Sequence, residues 1–129
     1  MRGKTGVSVA FSTHVNECQE FLAGDHTRLK ELFHPDKASL KLGYSLAHGY
    51  LDPGKRSLWH RLQSSEVYYF IGGQGVITVG EDMIDIKAGA VVYVPPGMKQ
   101  SLVNTGTEMM EFLCFVDPAW RIEDEEVLE

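Results

Sequence analysis

The sequence predicts an all-β domain. Short apolar runs recur about every ten residues across the second half of the chain, and glycine- or proline-containing turns separate them. No helix-period segment of adequate length interrupts that half. The chain has 129 residues, of which 43% are hydrophobic and 23% charged, enough to bury a core in one soluble unit.

Residues 1–24 carry little pattern, and Val15–Leu22 reads as a short helical turn or irregular chain. Thr27–His34 (TRLKELFH) is short, stops at Pro35 and fits an edge strand. Leu40–Leu51 alternates more clearly: Tyr44, Leu46, His48 and Tyr50 share one face, Ser45, Ala47 and Gly49 the other. The bulky face is expected to point into the barrel. Asp52-Pro53-Gly54 closes that strand, because proline presets φ and glycine permits a positive one. Strands are then expected at Val67–Ile71, Gly75–Val79, Met83–Ile86, Val91–Val94, Gln100–Val103 and Met110–Val116, with Gly72-Gly73, Gly80-Glu81-Asp82, Lys87-Ala88-Gly89, Pro95-Pro96-Gly97 and Asn104-Thr105-Gly106 as turns. Beyond Pro118 there is no alternation, so Trp120 is expected on the barrel exterior or a partner and the acidic end in solvent.

Charge narrows the function classes. The formal charge is −6, but Glu123–Glu129 holds five acids and no base, which leaves the body at −1. A nearly neutral body lacks the basic patch that phosphate neutralisation needs, so nucleic acid is not expected as a partner. No apolar run is long enough to span a membrane, and none follows Arg2 and Lys4 to make a secretory signal. Two cysteines, Cys18 and Cys114, are too few for a disulfide framework, so a reducing cytoplasm is the expected compartment.

The densest chemistry lies at Gly54–Gly73 (GKRSLWHRLQSSEVYYFIGG), where His60 precedes Glu66 by six residues. His60 shares strand parity with Leu58 and Leu62, so it is expected to face inward, where an imidazole needs a partner or a ligand. Phe112 and Cys114 share parity on the last strand. Tyr50, Tyr68 and Phe70, with those two, are the expected walls of an internal cavity. His48 lies on the bulky face of its strand and could join His60 and Glu66 as a two-histidine, one-carboxylate metal set. His14, His26 and His34 show no site spacing, and Arg28, Lys30 and Arg121 are expected in solvent.

These residues resemble a known superfamily. Gly54, five residues, His60, then Leu62, Glu66 and Gly73 look like the first cupin motif; Gly89, five residues, Pro95, Gly97, Gln100 and Asn104 look like the second. The fifteen residues between them, 74–88, match the short gap of small single-domain cupins. The resemblance implies a double-sheet jelly-roll barrel, with its motifs over about 40–118, an arm of extra strands at 1–39 and an acidic tail at 119–129. It also implies a homodimer and a pocket for a small molecule. Cupins usually hold metal with three histidines and one glutamate. Here His60 and Glu66 match, while Leu62 and Gln100 stand where histidines are usual. The expected functions are therefore a metal-dependent oxygenase or isomerase, a metal-free cupin using His60 and Glu66 as an acid–base pair, or a metabolite-binding module. For the first, the ligands are His60, Glu66, Gln100 and His48, around iron, manganese, nickel or zinc.

Overall fold

Antiparallel pairing accounts for nearly every element in the computed structural model, which describes residues 10–129. Residues 1–9, Arg2 and Lys4 among them, lie outside the described residues. The strands are β1 (Glu20–Leu22), β2 (Arg28–Phe33), β3 (Ser45–Leu51), β4 (His60–Leu62), β5 (Ser65–Gly72), β6 (Gln74–Val79), β7 (Asp82–Lys87), β8 (Val91–Val94), β9 (Gln100–Asn104), β10 (Met110–Asp117) and β11 (Glu125–Val127). They form a six-stranded sheet ordered β1-β2-β3-β10-β5-β8 and a five-stranded sheet ordered β11-β4-β9-β6-β7. The two sheets enclose Phe70, Ile77, Leu102, Met110 and Phe112, all nearly inaccessible. This is the all-β jelly roll that the strand spacing predicts.

Glycine is needed where the chain turns tightest. Gly73 has φ +84°, and a Cβ there would lie 2.7 Å from the Met110 Cα, so the β5–β6 turn admits no other residue without strain. Alternation on β5, β6, β8 and β10 places apolar side chains inward, while Tyr69 and Tyr93, on the opposite face of their strands, project outward.

Four expectations are corrected. Thr27–His34 does form a strand, but β1 lies outside it, so β1 is the sheet edge. The C-terminal segment is not a solvated tail: β11 pairs with β4, setting Glu125 opposite Leu62 and Val127 opposite His60. Trp120 lines the internal cavity rather than the exterior.

The fourth correction concerns β3, whose small face points inward. Gly49 lies opposite Phe112, and a Cβ on Gly49 would sit 2.2 Å from the Phe112 ring. The Phe112 ring occupies the space that a bulky β3 side chain would need, so Ser45, Ala47 and Gly49 face in while Leu46, His48 and Tyr50 turn out. On that outer face His48 stacks on Tyr50 with ring centres 4.7 Å apart, and its Nε2 lies 3.5 Å from Glu111 Oε1, beyond a good hydrogen bond. Neither His48 nor Tyr50 reaches the cavity. Among the described residues, no helix is long and apolar enough to cross a membrane.

Candidate functional site

His60 is the centre of the site, delivered by β4 and 3% exposed. Its Nδ1 lies 2.9 Å from the Leu58 carbonyl oxygen. A carbonyl can only accept, so Nδ1 carries a proton, and Nε2 is the ring atom left to meet the cavity. Nε2 looks toward Asp25, whose Oδ2 is 3.4 Å away, longer than a nitrogen–oxygen hydrogen bond usually runs.

Asp25 comes from the turn between β1 and β2. The turn is held by backbone bonds from Ala23 N to Thr27 O and from His26 N to Ala23 O. It is tied to the segment before His60 by Leu58 N, which donates to Asp25 O at 2.7 Å. His26, next to Asp25 in this turn, takes φ +74°, a strained conformation for a side-chain-bearing residue. Asp25 Oδ1 accepts from Thr27 N at 3.1 Å and Thr27 Oγ1 at 2.7 Å. One carboxylate oxygen is therefore engaged and the other presented to His60. Glu125 completes the group from β11. Its carboxyl is pushed above the usual range by burial and by Asp25, while the Trp120 indole, donating to it, and His60 pull the other way.

Asp25, His60 and Glu125 each offer a ligand atom, and these atoms lie within 4.8 Å of one another. Their donor set fits a metal ion. No other such His, Cys, Asp and Glu group occurs among the described residues. The set usual in cupins does not fit at its own positions. Leu62 has no donor atom, and Gln100 is occupied: its Oε1 accepts from the Tyr68 hydroxyl at 2.6 Å and its Nε2 donates to Glu66 Oε1 at 2.7 Å.

Glu66, Gln100 and Tyr68 thus form a buried chain, and the Cys114 thiol donates to Glu66 at its end. Burial raises the Glu66 carboxyl above its ordinary value, against the opposing pull of Gln100 and His60. Burial pushes the Tyr68 hydroxyl and the Cys114 thiol well above theirs. Neither of the last two ionises readily, so Cys114 serves as a wall and hydrogen-bond donor rather than a nucleophile.

Two outcomes follow from this chain. Tyr68→Phe leaves the buried Gln100 Oε1 without its donor and is expected to cost about 1–3 kcal/mol, measured by urea denaturation. Glu66 binds its proton more tightly folded than unfolded. Its contribution to stability is therefore full below the ordinary carboxylate range and is lost as pH rises through its elevated value. Glu66→Gln, which cannot ionise, should flatten that part of the stability–pH curve of the metal-free protein. An unchanged curve would contradict it.

The cavity in front of these groups measures about 50 Å³. Tyr68, Phe112 and Cys114 line it, as their parity predicts; Phe70 is instead packed behind it in the core, stacked on Tyr68 with ring centres 5.6 Å apart. Asp25, Thr27, Glu125 and Trp120 are the site residues that sequence patterning misses. A Gly-Asp-His-Thr stretch looks like any turn, and Glu125 is one acid in an acidic run.

The comparisons with known proteins agree with this architecture. The family model for the cupin domain matches residues 47–116, more than half the chain. The chain belongs to the cupin family. Among curated relatives, this cupin is 34% identical over 92 residues to the oxalate-binding protein of Thermotoga maritima, covering 70% of this chain and 71% of that one. It is 29% identical over 118 residues to an uncharacterized protein of Methanocaldococcus jannaschii, covering 91% and 94%. Among solved structures it superposes on the Streptomyces nucleoside dehydratase Pac13 with a TM-score of 0.74, at 20% identity, covering 94% of this chain and 92% of that one, a likeness of fold.

Arg28, Lys30 and Arg121 have partners within the chain. Arg28 pairs with Glu20 and Asp52, Lys30 Nζ donates to the Val15 carbonyl, and Arg121 pairs with Asp36. His14 accepts from Asn16 N, and the His34 ring meets the Trp120 carbonyl at 2.7 Å. None of these points into the cavity.

Proposed function

We propose that this cupin binds a small molecule inside the barrel and acts on it as a metal-dependent enzyme, with a divalent ion held by Asp25, His60 and Glu125. The observation that carries this is the convergence of three ligand atoms. His60 commits Nδ1 to the Leu58 carbonyl, which turns Nε2 toward two carboxylates, with no Lys or Arg among the described residues lining the cavity. Two carboxylates brought this close repel one another, and a cation between them and Nε2 offsets that repulsion. One imidazole with two carboxylates suits first-row ions such as manganese, iron, nickel or zinc.

When bound, such an ion supplies a Lewis acid for a substrate carbonyl or hydroxyl oxygen. The chain's own groups do the rest. Thr27 keeps Asp25 turned toward the site, and the Leu58 carbonyl keeps the imidazole in one tautomer. Glu66, whose carboxyl burial raises above its ordinary value, is suited to take or return a proton, and Gln100 holds its carboxyl in place. Phe112, Leu62 and Trp120 supply apolar wall around them. Support for a small-molecule ligand comes from the relatives, one named for binding oxalate and one for dehydrating a nucleoside.

The test is elemental analysis of protein purified without chelator or affinity metal. Near-stoichiometric manganese, iron, nickel or zinc is expected. Protein that stays metal-free even after incubation with each of the four would leave His60 and Glu66 as an acid–base pair acting alone.

A further inference from the structure

Two of the three convergent ligand groups have a visible reason for their direction. Thr27 donates to the Asp25 carboxylate, and the Leu58 carbonyl holds the His60 ring. The backbone of Glu125 is set opposite Leu62 on β4, which leaves its long side chain to be aimed by another contact. Its Oε1 packs over the β1–β2 turn, where a Cβ on Gly24 would lie 3.4 Å away. Trp120 lines the same cavity, and its indole N–H donates to the Glu125 carboxylate. Trp120 is itself clamped at both ends of its backbone. Its N–H donates to Ser45 Oγ at 2.9 Å, and its carbonyl accepts from His34 Nε2 at 2.7 Å. Ser45 and His34 are both buried. His34 Nδ1 accepts from Asp36 N at 3.1 Å, so the ring proton lies on Nε2, as the Trp120 carbonyl requires. Arg121, one residue on, pairs with Asp36 at 2.9 Å and braces the same join.

We infer that Trp120 is a positioning residue for the Glu125 carboxylate, and that His34 holds Trp120 in place for that task. This rests on the metal-dependent reading above. A carboxylate on a flexible stem can turn away from a cation unless a second partner fixes it, and loss of such a partner costs roughly 10–100-fold in metal affinity. The indole suits this role. It has one N–H donor and no acceptor, so it engages one carboxylate oxygen and leaves the other for the ion. Its rings also form part of the cavity wall, so packing fixes the donor as well as the peptide bonds do. His34 acts at one remove, because it meets the Trp120 carbonyl and not the carboxylate. Its bond sets the Trp120 backbone and, through it, the direction of the indole. The contacts thus run from the end of β2 through Trp120 to β11, and join the two sheets at the cavity.

The test pairs zinc affinity with indole NMR in the full chain and in Trp120→Phe, His34→Ala and His34→Gln. Trp120→Phe keeps an aromatic wall and deletes the donor, and is expected to weaken zinc binding by roughly 10–100-fold. His34→Ala should weaken it severalfold. His34→Gln, whose amide can still donate to the Trp120 carbonyl, should restore most of that loss, which a merely destabilised fold would not do. In metal-free protein, Trp120→Phe assigns the indole N–H resonance. That resonance is expected to shift in Glu125→Gln and in His34→Ala, to return in His34→Gln, and to stay in place in Glu126→Gln, whose carboxylate pairs with Arg61 in the parent. Zinc affinity unchanged in Trp120→Phe, an indole resonance that ignores Glu125→Gln, or equal losses in the two His34 variants would overturn the inference. The bond to Glu125 does not need the ion. A protein that takes up none of the four ions therefore sinks the metal-dependent reading, and the indole resonance then decides this one. Zinc bound equally well by the parent and Trp120→Phe sinks this one alone.

Discussion

Asp25→Asn, His60→Ala and Glu125→Gln should each weaken metal binding beyond the roughly 10–100-fold that loss of an outer hydrogen-bond partner costs. Each removes one of three donor atoms gathered within 4.8 Å, and three protein ligands are the usual minimum for a metal centre with open positions. Thr27→Val tests the layer behind them. It keeps the shape and deletes the 2.7 Å bond that turns the Asp25 carboxylate, so a loss within that 10–100-fold range is expected. His48→Ala should leave metal affinity unchanged, because His48 faces outward beside Tyr50 and Glu111. Glu66→Gln should also leave it unchanged. Competition with a fluorescent chelator measures all six. Loss of affinity in His48→Ala, or its retention in Asp25→Asn and Glu125→Gln together, would contradict the ligand assignment.

A second large effect concerns the wall opposite the site. Gly49→Ala places a Cβ 2.2 Å from the Phe112 ring, and the ring must move within a core that has no spare room. A cost of about 1–3 kcal/mol or more is expected for such overpacking. Phe112→Ala is expected to cost about 3–5 kcal/mol through lost contacts and the cavity left behind. The two are coupled. In the background of Phe112→Leu, whose side chain is shorter, Gly49→Ala should cost much less than in the parent chain, a non-additivity readable from a double-mutant cycle in urea. Additive costs would mean that Gly49 does not face Phe112, and that the inward placement of the small face of β3 is mistaken.

That face shows where sequence reasoning reaches its limit. Alternation on β3 is visible in Ser45–Leu51, and so is the division into a bulky and a small face. Which face turns inward is not visible, because it depends on a ring contributed by β10 more than sixty positions away. The usual preference for large residues inside fails at β3 because Phe112 already fills that space. His60 and Glu66 are legible from local spacing: both lie in one motif and both are buried, His60 where its strand parity puts it. The absence of donors at Leu62 is legible as well. The loss of Gln100 as a ligand emerges only with the Tyr68 and Glu66 bonds that occupy it.

Asp25 and Glu125 are a different case. Neither stands at a recognisable spacing from His60. Asp25 reaches it because the backbone of its turn accepts from Leu58 N, and Glu125 because β11 lays itself along β4. Both contacts join the ends of the chain to its middle. An acidic run also reads as solvated, yet Glu126 pairs with Arg61, and Glu129 pairs with Arg56 and accepts from Trp59 N at 2.6 Å. These surface pairs add little stability individually, but together with the β11 ladder they line up the segment that carries Glu125.

The most direct measurement is anomalous diffraction from crystals grown with manganese, iron, nickel or zinc, with data collected at the absorption edge of the ion. A peak within coordination distance of Asp25 Oδ2, His60 Nε2 and the Glu125 carboxylate is the expected result. A peak against Glu66 and Gln100, away from Asp25, or no peak with any of the four ions, would contradict it.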